Sequence, residues 1–71
     1  MSNVLRIKRN LYSENNLRYA IDAYSELCSI KYEIKNNFIE CVFKDCVYPE
    51  ELTIKEFENY LISLENLEVL R

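Results

Sequence analysis

Seventy-one residues, a net charge of −3, three cysteines and neither histidine nor glycine exclude most chemistry that a sequence can announce. Without histidine there is no Ser-His or Cys-His nucleophile pair and no imidazole metal site; without glycine there is no P-loop and no dinucleotide fingerprint, both of which bring backbone close to phosphate. The length supports one domain over residues 1–71, small enough to bury only about 60% of the surface its unfolded chain exposes.

Val4–Leu11 alternates as a strand, with Leu5, Ile7 and Leu11 on one face and Arg6, Lys8 and Asn10 on the other. Arg9 intrudes on the apolar side, which predicts that the strand leaves the core there. Arg6, Lys8 and Arg9 form a basic edge, read first as a solvated strand face and second as a phosphate contact. Ser13 is a favoured N-cap, and Glu14 follows in the first turn, where the helix dipole welcomes negative charge. Leu17, Ala20, Ile21, Tyr24, Leu27 and Cys28 share one helical stripe, predicting a helix from Ser13 to Cys28 with an Arg18–Asp22 pair on its wet side.

Ser29–Cys46 reads as a β-hairpin bent at Asn36-Asn37, asparagine being the non-glycine residue that best tolerates positive φ. In that register Ile34 faces Ile39, Tyr32 faces Cys41 and Ile30 faces Phe43, all on one side. Lys31, Glu33 and Lys35 lie on the other side, across from Val42, Glu40 and Phe38. A slip of one residue would reverse every side chain, so the pattern specifies one register. Glu33 opposite Glu40 is repulsive, and Lys31 and Lys35 are placed to offset it.

The chain then turns between Asp45 and Leu52, around its single proline, Pro49. Thr53-Ile54-Lys55-Glu56 matches a capping box with Leu52 stapled on Phe57, predicting a second helix from Thr53 or just before it; a start with Pro49 in the first turn is the alternative. Its inward stripe is Ile54, Phe57, Leu61 and Leu64, with Tyr60 on the shoulder. Leu67–Arg71 stays open between a last helical turn, a short strand and a tail held by a partner.

The order β-α-β-β-α predicts an α+β fold: a two-layer sandwich of a three-stranded sheet with both helices on one face. Two strand orders survive. The favoured one places Ile39–Asp45 between the other two strands; the other pairs the first strand with the second. Cys28 and Cys41 fall on inward faces as small hydrophobes, and Cys46 falls outside. The odd count, the lack of CxxC, of a signal peptide and of a long apolar run together predict a reducing cytoplasm, no membrane span and no disulfide framework. No cofactor or metal is expected, since the odd Cys41–Cys46 spacing sends the two side chains to opposite faces of a strand. Glu50, Glu51, Glu56 and Glu58 read as acids gathered at a helix start rather than as a catalytic pair.

Tyr24, Tyr32, Phe43 and Phe57 have core positions, whereas Tyr12, Tyr19, Tyr48 and Phe38 do not, and surplus aromatics are enriched at protein interfaces. The expected function is therefore a non-catalytic protein-interaction module. Its partner would be another protein or a second copy of the chain, touching Tyr19, Lys31, Glu33, Lys35, Phe38, Glu40, Val42 and Tyr60. The negative net charge argues against nucleic acid as partner. The alternative expectation is a small acidic inhibitor that mimics nucleic-acid charge.

Val4 through Leu61 resembles the small His-Xaa-Ser system protein HxsD family. The residues that carry the likeness are Tyr12-Ser13-Glu14 at a helix start, Tyr19-Ala20 within that helix, the hairpin, and Phe57-Glu58-Asn59-Tyr60-Leu61 in the last helix. The family's Leu-Arg, found shortly after that motif, has no counterpart here before Leu70-Arg71. The resemblance implies an accessory role beside a radical-SAM enzyme that modifies ribosomally made peptides, with that enzyme or its peptide substrate as the partner.

Overall fold

The computed structural model describes residues 3–70, with side chains through residue 66. Five elements follow one another: β1 (Val4–Lys8), α1 (Glu14–Ala23), β2 (Ser29–Ile34), β3 (Phe38–Lys44) and α2 (Glu50–Leu70). The sheet order is β1-β3-β2, with β3 antiparallel to both neighbours. This is the expected α+β fold in the favoured of the two strand orders. The hairpin register also matches, with Ile34 opposite Ile39, Tyr32 opposite Cys41 and Ile30 opposite Phe43.

The core explains why β3 is central. Ile39, Cys41 and Phe43 alternate along it and are all buried, the most complete inward row in the sheet. Ile7 from β1, Leu17 and Ala20 from α1, and Phe57 and Leu61 from α2 close over that row, so both helices lie on the same face. Phe57 stands edge-on to Phe43 and to Tyr24, with ring centroids 5.3 and 5.5 Å apart. Such edge-to-face pairs each add roughly 0.5–1.5 kcal/mol beyond the area they bury.

Several boundaries differ from the sequence pattern. β1 ends at Lys8 rather than running to Leu11. Leu11 N donates to Lys8 O in a turn, and Leu11 is exposed. The strand does leave the core at Arg9. α1 stops at Ala23 rather than at Cys28. The amides of Ser25 and Leu27 take i−3 carbonyls, a tighter winding that swings Cys28 into line with β2. Arg18 pairs with Glu14 at 3.2 Å instead of with Asp22, an acid-before-base spacing that helices favour.

α2 starts at Glu50, three residues before the capping box. Pro49 O accepts the Thr53 amide at 3.0 Å, and Thr53 Oγ1 donates to the same carbonyl at 3.1 Å. Thr53 is thus a buried second-turn residue whose hydroxyl is satisfied by its own helix. Leu52 is 52% exposed, so the staple does not form. The backbone is helical through Leu70, which decides part of the open C-terminal question; the side chains of 67–70 and Arg71 lie outside the described residues. The hairpin turn also differs in mechanism. Asn36 and Asn37 keep negative φ, and among the described residues Asp45, just past β3, is the one non-glycine residue with positive φ, at 54°. Aspartate bears that conformation better than most side chains, because its short polar group bonds locally.

One contact ties the two helices beyond their apolar stripes. Ser13 caps α1 as expected, its Oγ accepting from Asn16 N at 3.1 Å. Glu65, fifteen residues into α2, reaches across to the same helix start. Its Oε2 accepts from Ser13 N at 3.2 Å, from Ser13 Oγ at 3.4 Å and from the Asn16 side-chain amide. A carboxylate so placed meets both the unpaired donors and the positive end of the α1 dipole.

Candidate functional site

The helices cover one face of the sheet, and among the described residues the other face is open. It carries Val4, Arg6 and Lys8 from β1, Phe38, Glu40, Val42 and Lys44 from β3, and Lys31 and Glu33 from β2, with Lys35 just beyond the strand. Antiparallel pairing sets Arg6 opposite Glu40 and Lys8 opposite Phe38. Glu33 and Glu40 do stand directly across from each other. Their repulsion is relieved by one of the two expected cations and one other: Lys35 Nζ meets Glu33 at 2.8 Å, and Arg6 meets Glu40 at 3.2 Å. Lys35, by its hydrogen bond and charge, holds the Glu33 carboxyl below the usual carboxylate range. Arg6 also lies over the Phe38 ring, 5.7 Å from its centroid, so Phe38, Arg6 and Glu40 form one packed row.

At the end of this face is an open hollow of about 810 Å³ lined by Lys8, Arg9, Asn10, Asn36, Asn37 and Phe38. Two turns build it. Arg9 N donates to Asn37 O at 3.2 Å, Arg9 Nη1 donates to Lys35 O at 3.3 Å, and Lys35 N donates to Phe38 O at 2.8 Å. The arginine that spoils the alternation of the first strand is therefore the residue that fastens β1 to the hairpin turn. Asn10, Asn36 and Asn37 are exposed around it.

Six of the eight expected partner-binding residues, Lys31, Glu33, Lys35, Phe38, Glu40 and Val42, share the open face. Tyr19 and Tyr60 do not. Both lie on the helix layer, on the far side of the molecule, Tyr19 being 62% exposed and Tyr60 half-buried with its ring tilted against Tyr24 at 5.8 Å. Burial, and then the neighbouring Tyr19 hydroxyl, push the Tyr60 pKa up. Tyr12, left without a position by the sequence pattern, packs on the core edge, while Tyr48 is exposed in the loop before α2.

Two polar clusters escaped the sequence pattern. In the first, Tyr32 OH donates to Glu14 Oε2 at 2.8 Å, and Arg18 Nε donates to Tyr32 OH at 3.1 Å. The tyrosine hydroxyl first, and Arg18 after it, hold the Glu14 carboxyl below its ordinary range. The cluster is exposed and braces α1 on β2. In the second, the loop after β3 folds back, Val47 N donating to Leu27 O at 2.8 Å, and this sets Cys46 beside Cys28. Burial, and then the Cys46 thiol, push Cys28 up to about 12, and burial pushes Cys41 up to about 11. Both are protonated at neutral pH, the unreactive form of the side chain.

Among the described residues, no group of three or more Cys, Asp or Glu side chains is placed to hold a metal ion. No described helix is long and apolar enough to cross a membrane. Comparison with protein-family models, with curated proteins and with solved structures finds no match.

Proposed function

We propose that this chain is a non-catalytic protein-interaction module that docks a partner protein on its open sheet face. The observation that carries the reading is the Phe38–Val42 surface: half-buried apolar side chains of β3 on the sheet face opposite the helices, with Arg6 of β1 over the Phe38 ring. An interface of this kind has an apolar and aromatic centre with charges around it, and here Lys8, Lys31, Glu33 and Lys35 supply that rim. β1 and β2 are the terminal strands of the sheet, and a terminal strand is the usual site at which another chain adds a strand. The HxsD-like residues support a finer form of the proposal, in which the partner is a radical-SAM peptide-modifying enzyme or its peptide substrate.

Co-purification from the native host tests the proposal. The wild-type chain is expected to retain a partner through purification. The double variant Phe38→Ala, Val42→Ser is expected to lose it by about tenfold or more, an effect of the size that truncating an interface anchor produces. Undiminished retention by the double variant, or loss of the partner only on Tyr19→Ala and Tyr60→Ala, would overturn it.

A further inference from the structure

The net charge of −3 conceals a division between the two layers. On the open sheet face Arg6, Lys8, Lys31, Lys35 and Lys44 stand against Glu33 and Glu40 alone, and both acids are already paired. The helices and the turns around them carry Glu14, Asp22, Glu26, Glu50, Glu51, Glu56, Glu58 and Glu65 against Arg18 and Lys55. Neither Lys8 nor Arg9 forms an ion pair among the described residues. They meet at the hollow, where three asparagine amides and the Phe38 ring complete the lining.

From this we infer that the hollow takes carboxylates, and that the ligand is an acidic, extended peptide segment of the partner. The inference rests on the docking reading above and names the chemistry of what docks. Arg9 is pre-positioned, since its bonds to Lys35 O and Asn37 O fix both backbone and guanidinium while leaving donors free. Asparagine side chains offer donors to a carboxylate and acceptors to a peptide amide in the same turn. Phe38 gives the segment an apolar stop between the charged hollow and Val42. A nucleic acid fits less well. Its continuous phosphate charge would cross Glu33 and Glu40 at the centre of the face, only one ring is available for stacking, and the acidic helix layer repels a long polyanion.

The test uses the full chain and three fluorescein-labelled probes: a short peptide alternating Glu with Thr and Val, its Gln-for-Glu counterpart, and an oligothymidine of equal length. Anisotropy titration is expected to show the acidic peptide binding at least about tenfold tighter than the other two, a difference of about 1.4 kcal/mol. The double variant Lys8→Glu, Arg9→Glu is expected to lose about tenfold or more of that binding, and Lys55→Glu on α2 to lose none. Should the Arg9 change unfold the chain by releasing the hairpin turn, Lys8→Glu alone carries the comparison. Equal binding of the Gln peptide, oligothymidine bound as tightly as the acidic peptide, or an equal loss on Lys55→Glu would overturn the inference. If no peptide binds while partner retention still depends on Phe38 and Val42, the inference fails and the docking reading stands.

Discussion

The two faces of the sheet use the same three strands and the same residue period, yet they are held together by different physics. The inner face is closed along β3, where Ile39, Cys41 and Phe43 join Phe57, Leu61, Leu17 and Ala20 in one cluster nearly inaccessible to water, and it opens towards the β2 end at Ile34. The outer face is organised without being covered. Its order comes from one cross-strand charge pair and one cation–aromatic contact, Arg6–Glu40 and Arg6–Phe38, which are weak in water and lose strength as salt rises. A domain near the lower size limit has little apolar area to spare, so half-buried Phe38 and Val42 on the outer face stand out against the fully buried Ile39, Cys41 and Phe43 of the same strand.

Substitution separates the two most sharply. Phe57→Ala is expected to cost about 3–5 kcal/mol, enough to abolish cooperative unfolding in a domain of this size. Phe38→Ala, of identical chemistry on the outer face, is expected to cost no more than about 1 kcal/mol, which covers its partial burial and the contact with Arg6. Urea titration of both variants measures the difference. Equal losses would mean that the outer face is structural.

Alkaline pH probes the inner face by another route. Unfolded thiols ionise near their ordinary value of 9.0, whereas folded Cys41 keeps its proton to about 11 because ionisation there would bury a charge. Stability is therefore whole below pH 9 and falls as pH rises from 9 towards 11, by roughly 2–3 kcal/mol from Cys41. Cys28, pushed up to about 12, adds in the same direction. Cys41→Ala is expected to flatten that fall in thermal melts taken across the window, and an unchanged profile would mean that Cys41 is not shielded from water.

A smaller effect comes from the join between the helices. Glu65→Ala removes an anion from the α1 N-terminus and leaves Ser13 N and the Asn16 amide to water, with an expected cost of about 1–2 kcal/mol. Glu65→Gln keeps an acceptor and is expected to recover part of it, which denaturant titration of the pair of variants resolves.

The sheet was legible because its signals agree. The alternation of Ile30, Tyr32 and Ile34 with Ile39, Cys41 and Phe43 admits one register, and the Asn-Asn turn fits it even though both residues keep negative φ. Helix ends were less legible. The Thr53 motif satisfies a capping-box pattern, but Pro49 offers an earlier start, and a second-turn threonine that bonds back to Pro49 O carries the same letters. The apolar stripe of α1 continues through Leu27 and Cys28 because Cys28 is buried and Leu27 partly so in the turn before β2, and period alone does not separate a turn from a last helical turn. The contacts of Glu65 with Ser13 and of Cys46 with Cys28 join positions that no local pattern relates. For the same reason the candidate surface divided: exposure of an aromatic was readable at Tyr19 and Phe38, but which side of the molecule each would face depended on the packing of the layers.

The central claim, that the partner meets the open sheet face, is tested most directly by mapping amide chemical shifts of the labelled chain as the co-purified partner is added. The expected result is a contiguous set of perturbed or broadened amides at Arg6, Lys8, Arg9, Lys31, Lys35, Phe38, Glu40 and Val42, with Tyr19, Lys55 and Tyr60 unmoved. A set centred on Tyr19 and Tyr60, with the sheet amides unmoved, would place the partner on the helix layer and contradict the account.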